Sequence, residues 1–351
     1  MTTRIKEREE KKQPMPTEGQ IRESLEEILV PGSMRSLVKL NLVREITTSD
    51  QKVNITLASA ALNPDAQDWL KAKATDVIKK LPGVNEVSVD FIEAKPKELN
   101  DVHYVVAVMS GKGGVGKSLV AALLSIALAR QGKEVGILDA DITGPSIPTM
   151  FGLSGIRPSG SDTGILPVLS KMGINIMSIN LVLEHEDDAV IWRGPLIGKA
   201  IQQFWEDMLW GKLDCLIVDL PPGTADAPLT VMQSLPVSGV VIVSSPQELA
   251  AMVVRKAVKM TQQMNIPIIG VVENMSYFTL PDTGKKLELF GKSQGEEMAK
   301  TAKAPLLAQI PIDPQLAQLC DKGELERYSS DVFDTLSQNF IEALPLKAKQ
   351  T

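Results

Sequence analysis

The sequence predicts an α/β protein, in which a mostly parallel sheet with helices on both faces follows a small α+β domain. Over residues 104–345, apolar runs rich in β-branched residues alternate with helix-forming runs, as in parallel sheets. Residues 19–94 show shorter helical and strand patterns, and a Lys-Pro-Lys stretch begins a linker over residues 95–103. With 351 residues, 44% of them hydrophobic, the chain can bury two cores.

The two ends of the chain and one internal segment lack these patterns. Residues 1–18 are charged and interrupted by proline, so we expect a disordered tail. Residues 346–351 form a second short tail. The glycine- and serine-rich segment 155–166 predicts a mobile loop within the larger domain.

Composition limits the classes of partner. The net charge of −6, from 43 acidic and 37 basic residues, gives no support for broad nucleic-acid binding. No apolar run approaches the ~18 residues of a membrane span, so we expect no stable membrane insertion. The N-terminal segment lacks a signal-peptide core, and two cysteines without metal-binding spacing fit a reducing compartment. We therefore expect a cytoplasmic protein.

The most specific motif is SGKGGVGKS at residues 110–118, which matches the phosphate-binding pattern G-x-x-x-x-G-K-[ST]. Residues 104–109 predict the strand that this loop needs before it, and residues 118–131 predict the helix after it. Lys117 would reach the phosphates of ATP, and Ser118 would offer its hydroxyl to Mg²⁺. The alternative is a glycine-rich turn without a ligand. The residues expected at the nucleotide are Gly111, Lys112, Gly113, Gly114, Val115, Gly116, Lys117 and Ser118.

A second lysine, Lys112, lies inside this loop and has no required role in its own subunit. The pattern K-G-G-x-G-K-[ST] resembles the deviant Walker A motif of the MinD, nitrogenase iron protein and ArsA group. That resemblance implies that Lys112 crosses a dimer interface and balances charge on the partner's nucleotide during phosphoryl transfer. A solvated surface lysine is the alternative. Lys112 and Lys117 are therefore both catalytic candidates.

Two further apolar strands are predicted to end in aspartates. The phrase DADITGPS contains Asp139 and Asp141, and the phrase DLPPGT begins at Asp219. Strand-end carboxylates can position a water and contact a metal shell, so Asp139 and Asp141 are catalytic candidates. Asp219 would hold Mg²⁺ through water, and Gly223 would present its N–H to phosphate. Each aspartate could instead cap the element that follows it.

Residues 104 to about 345 resemble the Mrp/ApbC family of P-loop ATPases, described as iron–sulfur cluster carriers or assembly scaffolds. The shared phrases, in family order, are MSGKGGVGKS, ILDADITGPSIPTMFG, IWRGPL, DCLIVDLPPGTAD, ENMSYF and IPIDP. The resemblance implies a homodimer that hydrolyses Mg²⁺-ATP and acts on apo-protein clients or iron–sulfur assembly proteins. It also implies that Asn274 reads the adenine edge and that Pro311 and Asp313 line the base pocket. For Asn274, a plain strand-end turn is the alternative.

The small domain resembles, less sharply, the domain of iron–sulfur assembly factors that precedes many Mrp proteins. Both cysteine landmarks of the family are missing. The ENMSYF phrase is usually followed by C-x-x-C, whose thiolates from two subunits hold a bridging cluster, whereas this chain has leucine and threonine in place of the two cysteines, in LPDT at residues 280–283. The small domain has LNP at residues 62–64, where a reactive cysteine often precedes the proline. Cys215 lies in an apolar strand, and Cys320 alone could supply at most two ligands across a dimer.

Three functions therefore compete. By resemblance, the protein delivers or scaffolds iron–sulfur clusters, although the usual ligands are absent. The missing C-x-x-C favours a metal-free nucleotide switch that assembles client proteins. A MinD- or ParA-like positioning ATPase is the third hypothesis, but residues 341–351 are short and interrupted by proline, unlike a membrane anchor.

Overall fold

Two sheets of different size organise the chain in a computed structural model, which describes residues 14–141, 144, 146–182, 194–224, 226–247 and 250–344. Most of the predicted N-terminal tail and all of the predicted C-terminal tail lie outside these residues. The first helix begins at Glu18, within the segment predicted to be disordered, because Thr17 and Gln20 form a reciprocal cap at its N-terminus. Within the described residues, no helix combines the length and the apolar character that a membrane crossing requires.

The small domain is a three-stranded sheet covered by two helices. Its elements are α1 Glu18–Glu26, β1 Val43–Ser49, β2 Lys52–Ala58, α2 Pro64–Ile78 and β3 Glu86–Ile92, followed by the one-turn helix α3 Pro96–Leu99. Strand β2 pairs antiparallel with β1 and parallel with β3. Helix α2 begins where the Asn63 side chain accepts the Ala66 N–H at 2.8 Å and Pro64 occupies the first turn.

The large domain contains one eight-stranded sheet and two short hairpins. Its first half comprises β4 Asp101–Ser110, α4 Lys117–Arg130, β5 Val135–Asp139, α5 Ile147–Met150, β6 Gly160–Ser161, β7 Gly164–Ile165, β8 Val168–Leu169, β9 Asn175–Ser178 and α6 Gly194–Glu206. Its second half comprises β10 Lys212–Asp219, α7 Asp226–Ser234, β11 Gly239–Ser244, α8 Ala250–Gln263, β12 Ile268–Glu273, β13 Phe278–Thr279, β14 Lys286–Leu287, α9 Gly295–Ala302, β15 Leu306–Gln309, α10 Pro314–Asp321 and α11 Asp331–Ala343.

The predicted fold class is confirmed by the sheet order β15-β12-β11-β4-β10-β5-β9-β8, in which every pairing is parallel except that of β8 with β9. Helices α4, α5, α10 and α11 cover one face, and α6, α7, α8 and α9 cover the other. The strands are apolar almost throughout because both faces are buried. Since all the central strands are parallel, their carboxyl ends meet at one edge of the sheet.

The small domain is attached at the opposite edge, where β10 begins. The buried guanidinium of Arg35 donates to the backbone carbonyls of Trp210 at 2.7 Å and Lys212 at 3.1 Å. In the reverse direction, the Lys212 N–H donates to the carbonyl of Lys39 at 2.8 Å. Strand β10 has eight residues, so about 25 Å separates this attachment from the carboxyl end of the strand. The small domain therefore holds the start of the strand that ends in Asp219.

The segment 155–166 differs from the predicted mobile loop. It contains the β6–β7 hairpin, and it bonds to the small domain at two places. The Ala61 N–H donates to the Thr163 hydroxyl at 3.1 Å, and the Ser159 hydroxyl donates to the Gly32 carbonyl at 3.3 Å. Leu166 is buried in the core of the small domain. Glycine and serine in this segment therefore serve close packing between the two domains. A glycine- and serine-rich composition is the same for a closely packed segment and for a mobile loop, so composition alone could not distinguish them.

Gly211 provides a test of this attachment, because it has a φ of 63° and a Cβ there would lie 2.5 Å from the Lys39 carbonyl oxygen and 2.7 Å from the Leu40 Cα. We expect Gly211→Ala to lower the free energy of unfolding by about 3 kcal/mol, since both backbone strain and overlap oppose it. Gly132→Ala is the matched control: φ is 71°, but no atom lies within 4 Å of the added carbon, so about 1 kcal/mol is expected. Equal losses in chemical denaturation would contradict close interdomain packing at Gly211.

Candidate functional site

The glycine-rich segment lies between β4 and α4, at the sheet edge where the parallel strands end. Gly114 and Gly116 adopt the left-handed φ values of 78° and 80°, which turn the chain sharply into the helix. Gly116 is the residue before the first helical residue, Lys117, so unpaired N–H groups of the first turn of α4 converge on this loop. This arrangement suits a bound phosphate, because helix N-termini and glycine-rich loops both favour anions.

Lys117 forms a buried ionic cluster with two carboxylates. Its ammonium lies 2.5 Å from Asp219 Oδ1 and 3.5 Å from Asp141 Oδ2, and the lysine is only 5% exposed. The positions follow from the sheet, since β10, which ends in Asp219, lies between β4 and β5. A buried ammonium without anions would be costly, so the two carboxylates compensate for the burial of Lys117 at the phosphate-binding loop.

The second oxygen of Asp219 is available to a cation. Asp219 is fully buried, and its Oδ2 finds no hydrogen-bond partner in the part of the chain that the structure describes. An unsatisfied buried carboxylate oxygen is rare in proteins and calls for a ligand. The Ser118 hydroxyl lies 3.4 Å from the Lys117 ammonium, in the same cluster. Oxygen donors of these two types are the ligands that Mg²⁺ prefers, directly or through water, so the residues present fit that ion.

Asp139 is fully buried and organises the loop that follows β5. Its Oδ1 accepts the Asp141 N–H at 3.2 Å, and its Oδ2 accepts the Ile147 N–H at 3.3 Å and the Ser178 hydroxyl at 3.1 Å. Ile147 is the first residue of α5, so Asp139 satisfies a helix N-terminus, as the capping alternative expected. Its position orients Asp141 towards Lys117; the catalytic role predicted for Asp139 itself stays a prediction.

Burial shifts the proton affinity of both strand-end aspartates. It raises the pKa of Asp139 to about 8, with the negative charge of Asp219 as the next cause, against the opposing charge of Lys117. Burial likewise raises the pKa of Asp219 above its usual range, while the Lys117 ammonium opposes the shift. The site therefore places three carboxyl groups around one ammonium, and the raised pKa values mean that a proton or another cation is favoured there.

Lys112 contacts its own subunit in this structure. Its ammonium donates to the side-chain oxygen of Gln247, an exposed residue shortly after β11. Lys112 is half-buried and lies on the outer side of the loop, apart from the cluster of Lys117. The prediction that it reaches a partner's nucleotide requires this contact with Gln247 to break.

Gly223 lies beside the loop with a φ of 100°. Its N–H donates to the carbonyl of Ser110 at 3.0 Å, so the predicted bond from Gly223 to phosphate also requires a local rearrangement. The residues that connect Asp219 to Gly223 include two prolines. Because proline restricts the backbone, a movement at Gly223 would be transmitted along this short segment.

Asn274 ties the end of β12 to the phosphate-binding loop. Its side-chain nitrogen donates to the Val115 carbonyl at 2.9 Å, and the residue is almost fully buried. A Cβ at Gly116 would overlap this amide, which explains why glycine is needed there. Base recognition by Asn274 stays a prediction, but the observed bond places this side chain directly against the loop.

Pro311 and Asp313 follow β15, the strand next to β12. Asp313 is the N-terminal cap of α10: its Oδ1 accepts the Gln315 N–H at 2.8 Å, and its Oδ2 accepts the Tyr328 hydroxyl at 2.9 Å. The neighbouring Ile312 N–H donates to the Tyr277 carbonyl at 2.7 Å. This turn is therefore held beside the strand end that carries Asn274, where the base pocket was predicted.

The two thiols lie in different elements of the large domain. Cys215 is fully buried in β10, and burial raises its pKa far above the usual range. Cys320, in the last turn of α10, is half-buried, and burial with the charge of Asp321 raises its pKa to about 11. Within the described ranges, no group of three or more His, Cys, Asp or Glu side chains could hold a metal ion.

Sequence reasoning missed two residues that contact or adjoin residues of the site without belonging to it. Gln247 receives the Lys112 ammonium, and an exposed glutamine in a loop gives no signal in a single sequence. Glu273 is a fully buried carboxylate beside Asn274. Its signal was present, because a charged residue that ends an otherwise apolar strand must find buried partners.

Comparisons with known proteins agree with this geometry. Residues 101–344 match the family described as NUBPL iron-transfer P-loop NTPase, and residues 18–90 match the family described as iron-sulfur cluster assembly protein. The iron-sulfur cluster carrier protein of Aquifex aeolicus is 37% identical over 330 residues, which cover 86% of this chain and 88% of the relative. That of Synechocystis sp. is 40% identical over 305 residues, which cover 84% and 86%.

Solved structures extend the comparison. A nucleotide-binding protein from Archaeoglobus fulgidus, in complex with ADP, is 48% identical and superposes with a TM-score of 0.62 over 68% of this chain and 95% of its own. The MinC:MinD cell division protein complex of Aquifex aeolicus gives a TM-score of 0.50 at 21% identity, over 70% of this chain and 98% of that one. The second likeness concerns the fold alone.

The raised pKa values predict a pH dependence of stability. A carboxyl whose folded pKa exceeds its unfolded value of about 3.9 binds more protons when folded, so stability is greatest at low pH and falls until the folded pKa is passed. For Asp139 that window ends near pH 8. Without nucleotide or divalent cation, we expect the free energy of unfolding to fall between pH 5 and pH 8, and Asp139→Asn to flatten the slope. Denaturant titrations at several pH values measure this slope of the free energy of unfolding against pH.

Ser178→Ala is the control, because it keeps the Asp139 carboxyl and should keep the slope. An unchanged slope in Asp139→Asn would contradict the assignment of the pH dependence to Asp139.

Proposed function

This chain belongs to the NUBPL iron-transfer P-loop NTPase family, and from that premise we propose that it is a homodimeric, Mg²⁺-dependent ATPase that delivers iron–sulfur clusters to apo-protein clients. The observation that carries the proposal is the buried Lys117 ammonium, held by Asp219 and Asp141 against the phosphate-binding loop. Relatives named as iron–sulfur cluster carriers support the delivery, and the ADP bound to the Archaeoglobus protein supports the nucleotide.

In the proposed mechanism, the carboxylates keep Lys117 in place until a triphosphate arrives. The β and γ phosphates offer several negative oxygens close to the ammonium, and so they compete with Asp219 Oδ1 for it. Nucleotide binding then exchanges the ion pair of Lys117 with Asp219 for one with phosphate, and the charge of Asp219 is left for another cation to balance. Asp219 is released from Lys117 and is free to accept hydrogen bonds from the hydration shell of a metal ion.

Mg²⁺ would be held by the Ser118 hydroxyl and, through water, by Asp219; when bound it neutralises charge on the phosphates. Asp141 has a carboxylate at 3.5 Å from Lys117, close enough to the phosphate end of the loop to orient an attacking water. Asp139 fixes the backbone of Asp141 through the bond to its N–H. The roles of these carboxylates thus follow from their partners: Asp139 is satisfied by protein groups, while Asp219 keeps an unpaired oxygen.

Lys112 is proposed to complete the site from the partner subunit. Its contact with Gln247 keeps the side chain ordered on the surface of the isolated chain. One neutral amide is a weaker partner for an ammonium than a triphosphate, so the approach of a second nucleotide-loaded subunit would displace it. Charge supplied across the interface makes hydrolysis depend on dimer formation, as an arginine finger does in other phosphoryl-transfer enzymes.

A metal-free switch that assembles client proteins is the second candidate, and the state of the thiols favours it. Cys215 is enclosed in the sheet, and Cys320 is half-buried with a raised pKa, so neither is a ready thiolate. A dimer offers at most two Cys320 side chains, whereas iron–sulfur clusters commonly use four cysteines. In this hypothesis the same ATP cycle changes a protein-binding surface and carries no cluster.

The homodimeric site makes a prediction about Lys112. We expect Lys112→Ala to lower ATP turnover at least tenfold, because the composite site loses one positive charge. A 1:1 mixture with Lys117→Ala subunits should regain about a quarter of the parent turnover: half of the dimers are mixed, and each has one intact site of two. Phosphate release as a function of mixing ratio measures this. Turnover equal to the sum of the two variants alone would rule out sharing.

Gln247→Ala is the matched control for Lys112. It removes the intramolecular partner of the ammonium but keeps the charge. Turnover should therefore stay within about twofold of the parent. A loss as large as that of Lys112→Ala would mean that the contact itself, within one subunit, is what hydrolysis requires.

Cluster loading separates the two candidates. If the protein carries a cluster, anaerobic reconstitution with iron and sulfide should give about one cluster per dimer, lost in Cys320→Ser and kept in Cys215→Ser, because only Cys320 approaches the surface. Iron and sulfide analysis with absorption spectra measures the occupancy. No cluster above background, together with full ATP turnover in a variant lacking both cysteines, would reject a resident cluster and favour the switch.

A further inference from the structure

Glu273, the last residue of β12, is a fully buried carboxylate that the proposed reaction does not use. Its Oε2 accepts the hydroxyls of Ser276 at 2.5 Å and Ser293 at 2.6 Å, and the side-chain amide of Gln309 at 3.2 Å. Its Oε1 accepts the Gln294 N–H at 2.6 Å. These four hydrogen bonds compensate for the burial of the carboxyl group.

Three of these donors flank one surface segment, residues 277–292, which we call the excursion, and the fourth, Gln309, belongs to β15. Ser276 precedes the excursion and Ser293 follows it, so a single carboxylate bonds both ends. Gln294 precedes the first residue of α9, and the N-terminus of that helix further favours the negative charge. Glu273 therefore closes the base of the excursion.

The excursion presents apolar side chains to solvent. It contains the β13–β14 hairpin, and the Lys286 ammonium lies 4.0 Å from the centre of the Tyr277 ring. The exposed fractions are 45% for Leu287, at the end of the hairpin, and 53% for Leu289 and 42% for Phe290 beyond it. Three large exposed apolar residues lie close together in sequence here. Their exposure would change if the two ends of the excursion moved relative to each other.

The residue after Glu273 is bonded to the phosphate-binding loop. Asn274 donates its side-chain amide to Val115, and its backbone N–H donates to the carbonyl of Ser244 in β11 at 2.8 Å. Two consecutive residues thus have two different attachments, one to the nucleotide loop and one to both ends of the excursion. A displacement of the Val115 peptide would act on Asn274 and, through one peptide bond, on Glu273.

We propose that Glu273 is a positioning residue that ties the excursion to the phosphate-binding loop, so that nucleotide occupancy changes the exposure of the excursion. The inference rests on the proposed function, because it requires nucleotide to bind beside Val115. The length of glutamate matters, since its two oxygens reach donors before and after the excursion at once. The element with two states is the base of the excursion. Either all four donors bond Glu273, or the donors at one end of the excursion have separated from it.

Amide hydrogen exchange with and without ADP tests the proposal on the full chain. In the parent protein, ADP should slow exchange about fivefold or more in residues 111–118 and also in residues 277–292. In Glu273→Gln, an NH2 group replaces one carboxylate oxygen. This group then faces either the Gln294 N–H or the two serine hydroxyls, which are donors in the parent protein, so the hydrogen bonds at the base of the excursion are weakened. We expect residues 277–292 to lose the response, while residues 111–118 keep it and ADP affinity stays within about threefold.

Two controls separate coupling from general damage. Thr283→Ala lies in the hairpin turn, away from Glu273, and should keep the nucleotide response of residues 277–292. If Glu273→Gln fails to fold, the double variant Ser276→Ala and Ser293→Ala removes one donor at each end and should show the same selective loss. Exchange in the β6–β7 hairpin should not respond to ADP in any variant.

The outcomes distinguish this inference from the proposed function. A parent protein that binds ADP and protects residues 111–118, but not 277–292, would overturn the positioning role and leave the ATPase proposal standing. Retention of the response in the folded Glu273→Gln variant would overturn it equally. If calorimetry detects no ADP binding and neither segment is protected, both proposals fail together.

Discussion

The buried pairing of Lys117 with two strand-end carboxylates is the interaction on which the site depends. A cation that is 5% exposed would cost several kcal/mol without its anions, and an aspartate as deeply buried as Asp219 would cost as much without its cation. Both costs are avoided because adjacent parallel strands place the carboxylates at the same edge of the sheet as the loop that carries the lysine. Three carboxyl groups around one ammonium leave the cluster able to accept one more positive charge, and in the proposed mechanism nucleotide binding exchanges ionic partners within it.

The same sheet links the small domain to the site. Arg35 bonds the backbone at the start of β10, and Asp219 stands at the other end of that strand. Strand β10 is paired on both sides, with β4 and with β5, so one central strand joins the attachment to the site. The close approach at Gly211 makes this attachment specific, and the packing of segment 155–166 adds a second contact between the same two domains.

Much of this was accessible from sequence, for physical reasons. Apolar strands followed by glycine or aspartate mark parallel strand ends, and the family resemblance carried by the motifs is confirmed together with the fold class. Sequence could not show which partners satisfy each polar group. Asp139 and Asp219 look alike in sequence, yet one accepts three hydrogen bonds from protein groups and the other keeps an unpaired oxygen. Segment 155–166 failed as a prediction because glycine serves close packing as well as mobility.

The missing thiol pair and the excursion concern the same part of the chain. Where the family resemblance implies cysteines after the strand-end asparagine, this chain has a hairpin followed by exposed leucine and phenylalanine side chains. A cluster site needs thiolates at fixed separation, whereas an apolar surface needs only a stable base, and Glu273 supplies that base with four bonds. The chemistry of the nucleotide site is therefore compatible with either output, because Asn274 reaches the loop in the same way whatever the excursion carries. The two proposed outputs therefore differ outside the buried ion cluster, at Cys320 and at residues 277–292.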